Sequence, residues 1–208
     1  MSHFALISAV TAAVASIGCA TPAMAGPAIA NPSFEVDRYG TWPGYRHSNG
    51  GAIVGWQGKG GGVNPIWRNA KAQAGPDAPF WDNGKLPHGR QLAFIQGPGK
   101  LVQQISGFHK GRRYRLMYRE NARIQRQGEQ WPRVQVTLGK VIIVSAHQVT
   151  PVAKRSDFRT PFYRVESGPF TAPDDGSYEL VVQTVQQSGS TTVLLDDFRL
   201  VELPQAQE

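Results

Sequence analysis

From Arg90 onward apolar and polar positions alternate in short runs, each closed by glycine or proline. The runs are 90–96 (RQLAFIQ), 100–106 (KLVQQIS), 112–123 (RRYRLMYRENAR), 132–146 (PRVQVTLGKVIIVSA), 162–172 (FYRVESGPFTA), 177–185 (SYELVVQTV) and 190–203 (STTVLLDDFRLVEL). A period of two places successive side chains on opposite faces, so these runs predict consecutive β-strands, seven to nine in all. No stretch of ten or more residues carries a helical stripe. The predicted fold is all-β, an antiparallel two-sheet jelly-roll β-sandwich. Between about residues 38 and 87 little periodicity survives, and this first third reads as loops rich in Gly, Trp and Asn.

The run 112–123 sorts into two faces. Tyr114, Leu116, Tyr118 and Ala122 fall on the core face, with Glu120 a carboxylate out of place among them. Arg113, Arg115, Met117, Arg119, Asn121 and Arg123 fall on the other. In the next run Val134, Val136 and Leu138 point inward and Arg133, Gln135 and Thr137 outward. If the two strands are neighbours, they share one broad, polar, strongly basic sheet face. Arg119, Asn121 and Arg123 lie at the centre of that candidate binding surface.

A chain of 208 residues with 40% hydrophobic content builds one well-buried core, and neither an internal repeat nor an interdomain linker is visible. Pro and Gly contribute 15 and 23 residues, in keeping with many turns. Residues 4–17 are apolar, too short to span a bilayer, and are followed by Ala23-Met24-Ala25, small residues where a signal peptidase reads. This pattern predicts a signal peptide over 1–25, a mature domain over 26–208, and a secreted or periplasmic location without membrane insertion. Cys19 lies in the removed segment, so the mature chain forms no disulfide. The net charge of +7 sits wholly in the mature part, because residues 1–25 hold no Lys, Arg, Asp or Glu. Such a surplus favours anionic partners, and export makes nucleic acid the poorest of them.

Several motifs carry a resemblance. Asn31-Pro32-Ser33-Phe34-Glu35, then Gly55-Trp56, and at the end Leu194-Leu195-Asp196-Asp197-Phe198 resemble the opening and closing motifs of the galactose-binding-like carbohydrate-binding modules. Between them, 87–94 (PHGRQLAF) is similar to that family's P-D-G-x-x-x-A strand, with His88 where an Asp is usual. Leu101-Val102-Gln103-Gln104-Ile105 followed by Gly111-Arg112-Arg113-Tyr114 is similar to its paired strand motif. The resemblance implies a calcium-containing β-sandwich that binds a polysaccharide or other glycan. It further implies a structural Ca2+ tying the first strand to the last, with Glu35 and Asp196 as ligands. Backbone carbonyls near Asn31 and in the loop 87–89 would complete the oxygen shell.

Sugar rings stack their C–H faces on aromatic planes, and their hydroxyls need rigid planar donors and acceptors. Trp67, Trp81 and Trp131 are the loop aromatics expected to serve as platforms beside Arg119, Asn121 and Arg123, whereas Trp56 is expected in the core. No catalytic residue is assigned. A polysaccharide lyase is faintly echoed by Arg119-Glu120-Asn121-Ala122-Arg123, but the partner motifs of such a lyase are missing. A calcium-dependent cyclase of this scaffold would use a buried acid, for which Glu120 is the candidate. His47, His88, His109 and His147 are scattered, no hydrolase elbow or zinc motif is present, and 58–62 (GKGGG) lacks the strand-loop-helix setting of a phosphate loop. A cell-envelope adhesin without a defined sugar pocket is the remaining alternative.

Overall fold

The computed structural model describes residues 26–37, 46–47, 53–65, 80–124, 130–153, 155–157, 159–185 and 191–205. The expected signal segment, Trp67 and most of the loop region 38–79 lie outside the described residues. Among the described residues the chain forms ten strands, a single 3-10 turn at Trp81–Asn83 and no α-helix. The strands are β1 (Arg46–His47), β2 (Gln57–Pro65), β3 (Gln91–Phe108), β4 (Arg113–Ala122), β5 (Arg133–Leu138), β6 (Val141–Gln148), β7 (Tyr163–Glu166), β8 (Phe170–Thr171), β9 (Gly176–Thr184) and β10 (Thr192–Leu203).

All the pairings are antiparallel, and β3 organises them. Along one edge β3 is flanked by β2. Along the other edge its first half, from Ala93 to Gln96, pairs with β10, and its second half, from Lys100 onward, pairs with β9. Because β9 and β10 diverge from the same edge, one hydrogen-bonded ribbon splits into two layers. One layer runs β6-β5-β9-β3, the other β3-β10-β4-β7, with β8 also on β4. The runs 90–96 and 100–106 are therefore one bent strand rather than two. Thr184 clamps the bend, donating to Gly97 O at 2.7 Å and accepting from Gly99 N at 2.9 Å.

The core between the layers is built by the predicted alternation. Tyr114, Leu116, Tyr118 and Ala122 of β4 face Val134, Val136 and Leu138 of β5 and Leu180 and Val182 of β9 in one buried cluster. Trp56 joins it, nearly fully buried against Phe34 and Phe198 with ring centroids 5.6 and 5.3 Å away, and its Nε1 donates to Ala30 O at 3.1 Å. A smaller cluster lies outside the second layer, where Leu92, Phe94 and Leu194 are covered by Phe80, Leu86 and Phe162.

Two expectations need correcting. The strands β4 and β5 do not share a face, because β4 pairs with β10, β7 and β8 while β5 pairs with β6 and β9 in the other layer. Strand order in a Greek-key sandwich is decided by long-range pairing, which sequential neighbours do not report. The loop reading of the first third is also incomplete. The glycine run 58–62 is part of β2, where a Cβ on Gly58 would stand 1.9 Å from Lys100 O, so only glycine lets the two backbones approach this closely.

Candidate functional site

The outermost strands of the two layers, β6 and β7, leave a lateral cleft of about 460 Å³ between them. Its walls come from Val144, His147, Val149 and Thr150 on one side and Tyr163, Arg164 and Glu166 on the other, and Glu120 of β4 reaches it from the core. This volume lies within the roughly 300–1,000 Å³ of small-ligand sites.

Glu120 stands on the inward face of β4 because of the strand period, and its side chain is only 4% exposed. Its Oε1 lies 2.7 Å from His147 Nε2, and the imidazole Nδ1 lies 3.1 Å from Ser145 O. A carbonyl only accepts, so Nδ1 is assigned a proton. A single further proton then lies in the Nε2–Oε1 contact, held as imidazolium and carboxylate or as imidazole and carboxylic acid. The hydrogen bond to Glu120 raises the His147 pKa above its usual value, against the opposing effect of burial. The second oxygen, Oε2, is buried and makes no hydrogen bond of good geometry among the described residues, although the Tyr118 hydroxyl is close enough to interact with this carboxylate. The Tyr118 hydroxyl, two residues earlier on the same face, is likewise buried without a partner of good geometry. Burial first, then the Glu120 charge and a loose hydrogen bond to that carboxylate, push its pKa well above the ordinary tyrosine value, so it stays a phenol. Of the two, only Glu120 lines the cleft, and a carboxylate oxygen without a well-formed hydrogen bond at its floor suits a ligand that donates from hydroxyls.

The residues singled out in the sequence are placed differently from one another. Asn121 is fully buried, with Nδ2 donating to Val152 O at 2.9 Å and Oδ1 accepting from Val152 N and Ala122 N, so it ties the segment around Val152 to β4. Arg123 is exposed with its guanidinium 5.8 Å from the Phe80 ring centroid, over the smaller cluster. Arg119 stays half-buried on the open outer face of the second layer. Trp131 is half-buried just before β5, and the side chain of Trp81 lies outside the described residues, as does Trp67. Arg119, Asn121 and Arg123 thus have different surroundings, and of the three tryptophans only the side chain of Trp131 is among those described. His147 was not paired with Glu120 in the sequence. The signal present was Glu120 on an apolar face, and only the position of β6 supplies its partner.

One residue along β10 from Leu195, the cross-strand partner of Glu120, Asp196 lies close enough to Glu35 for their charges to interact. Glu35 Oε1 accepts from the amides of Arg90 and Gln91, both at 2.8 Å, and a Cβ on Gly89 would collide with this carboxylate. Asp196 is fully buried and accepts from His88 N at 2.9 Å and Asp197 N at 2.7 Å. Burial pushes its pKa up to about 8, the two amides oppose this, and the charges of Asp197 and Glu35 add to it. Among the described residues no cation contributes to this shift.

No protein-family model matches the chain, and no curated protein matches it. Solved structures do. A cyclase from Fischerella sp. TAU, in complex with 4-(1H-indol-3-yl)butan-2-one, is similar with a TM-score of 0.50 and 18% identity over 86% of this chain and 99% of that one. The CBM22-1 xylan-binding domain of Paenibacillus barcinonensis Xyn10C is similar with a TM-score of 0.49 and 14% identity, over 88% and 99%. TmCBM61, in complex with beta-1,4-galactotriose, has the same score and identity over 83% and 96%. The fold is an antiparallel jelly-roll β-sandwich. At these identities the likeness is one of fold alone.

Proposed function

We propose that this chain is an exported carbohydrate-binding domain that takes a glycan in the cleft between β6 and β7. The observation that carries this reading is the Oε2 of Glu120, buried at the floor of that cleft without a hydrogen bond of good geometry. A sugar hydroxyl donates to Oε2, and Tyr163, exposed at the cleft wall, offers a ring face for the sugar C–H bonds. The motif resemblance around Asn31–Glu35 and Leu194–Phe198 supports the same class, and the charge of +7 favours acidic glycans within it.

The test is calorimetric titration with a panel of neutral and acidic oligosaccharides. At least one is expected to bind, with Glu120→Gln weakening it about tenfold or more, because the amide presents a donor where the ligand needs an acceptor. Binding of no oligosaccharide, or unchanged binding by Glu120→Gln and Tyr163→Ala, overturns the assignment.

Calcium at Glu35 and Asp196 belongs to the same proposal. Two neighbouring carboxylates with no cation acting on the buried one form a hard-oxygen donor set that fits Ca2+. The carbonyls of Asn31 and Pro32 already accept from Phe34 N and Phe198 N, so further oxygens would come from the loop 87–90 and water. Bound there, the ion would tie the Asn31–Asp37 segment to β10 and has no part in the cleft.

A second reading, an enzyme that uses Glu120 as a proton donor, is favoured by the buried carboxyl and its 2.7 Å contact with His147. Mass spectrometry of a bound oligosaccharide after prolonged incubation separates the two. An unchanged ligand supports binding, and a product lost in Glu120→Gln supports catalysis.

A further inference from the structure

On the outer face of the second layer a smaller pocket of about 130 Å³ is lined by Met117, Tyr118, Arg119, Arg164, Asp197 and Arg199. The strand registers explain the convergence: Arg119 is opposite Arg164 of β7, Met117 is opposite Arg199 of β10, and paired residues share a face. Arg115, two residues before Met117, is on the same face.

Four guanidinium groups here meet two carboxylates. Glu166 is shared, accepting from Arg164 at 2.6 Å and from Arg115 at 3.2 Å, while Asp197 holds Arg199 through Nε at 3.0 Å and NH2 at 3.2 Å. The Arg119 side chain has neither an ion pair nor a hydrogen bond among the described residues. Its cross-strand neighbour Asp196 is turned onto the amides of His88 and Asp197 instead. A half-buried guanidinium is left with its planar fork open, inside a pocket whose other cations outnumber the acids.

We propose that this pocket binds an oxyanion substituent of the glycan, a uronate carboxylate or a sulfate ester, with Arg119 as its bidentate partner and Arg199 and Arg164 beside it. The volume sets the size of the group, since about 130 Å³ falls well below the roughly 300 Å³ of the smallest ligand sites and takes a substituent rather than a ring. The guanidinium fork matches the two oxygens of a carboxylate or sulfate. Arg164 lines both this pocket and the cleft, so one chain bound in the cleft can lay its acidic group over β7. In that form the inference rests on the cleft reading, while the pocket itself stands on its own geometry.

The experiment titrates the full chain with tri-galacturonic acid and with its fully methyl-esterified form, which keeps the skeleton and removes the charge. A parallel pair compares a sulfated galactotriose with the unsulfated one, to tell carboxylate from sulfate. The acidic form of at least one pair is expected to bind about tenfold or more tighter than its neutral form. Arg119→Gln is expected to erase that difference, and Arg119→Lys to recover only part of it, while Glu120→Gln weakens both forms. A separate arm adds inorganic sulfate and follows the Arg119 Nε–H signal by NMR, where a saturable shift is expected. Equal binding of both members of each pair, no sulfate shift, or full retention of the preference in Arg119→Gln overturns the pocket and leaves the cleft reading standing. A sulfate shift with no oligosaccharide bound overturns the cleft reading and leaves the pocket.

Discussion

Glu120 and Asn121 are consecutive residues with opposite duties. Glu120 faces inward and presents to the cleft an oxygen without a well-formed hydrogen bond, whereas Asn121 faces outward and has its amide engaged by Val152 and Ala122. Replacing Asn121 by Ala strands the Val152 amide and carbonyl, and a loss of about 1–3 kcal/mol in unfolding free energy is expected by denaturant titration. Glycan binding in the cleft should change far less than stability. At His147 the sign follows from the direction of the shift. A histidine whose pKa is raised in the folded state contributes stability that is fully present below the unfolded value of about 6.5 and is lost as pH rises through the folded value. Melting temperature is therefore expected to fall over that window in the wild type and to fall less steeply in His147→Gln, where only the raised Asp196 carboxyl still contributes. The same slope from pH 6 to 9 in the wild type and in His147→Gln contradicts the Glu120–His147 contact.

Among the elements, β3 bears the most. Its alternation was legible as two strands, and the residues that join them, Gly97-Pro98-Gly99, read as a break rather than as a bend. The strand continues because Thr184 of β9 holds the bend through two hydrogen bonds that no local pattern announces. The strand β2 was missed for a related reason, since 57–65 has no apolar alternation and pairs through a backbone that glycine leaves bare. Gly58→Ala places a methyl where Lys100 O stands 1.9 Å away, so β2 must part from β3. A destabilisation of about 1–3 kcal/mol is expected, read as a lower denaturation midpoint with an unchanged slope.

For the whole molecule, the proposed ion ties the beginning of the described chain to its last strand, as Phe198 N already does by donating to Pro32 O at 2.9 Å. A calcium concentration 100 times the dissociation constant would add about 2.7 kcal/mol to stability by mass action. Melting is expected to shift upward with calcium and back with chelator in the wild type, and to shift in neither direction in Glu35→Gln or Asp196→Asn. No shift in the wild type rules the ion out. Export is tested apart from the fold, by N-terminal sequencing of the secreted product, with Gly26 expected as its first residue.

What the sequence determined by itself is the class of fold and the inward face of its strands, because burial on one side of a sheet writes a period of two into the residues that make it. It also marked Glu120, as a carboxylate among Tyr114, Leu116, Tyr118 and Ala122. What only the tertiary structure decided is adjacency. Whether β4 lies beside β5 or beside β10 and β7 depends on pairings between residues as far apart as Arg113 and Leu203, and strand order leaves no local trace. That order sets His147 against Glu120, gathers Arg119, Arg164 and Arg199 from three strands, and separates both groups from Asn121 and Arg123. A site built across strands is a property of their packing, and the sequence of any one strand holds only its own share of it.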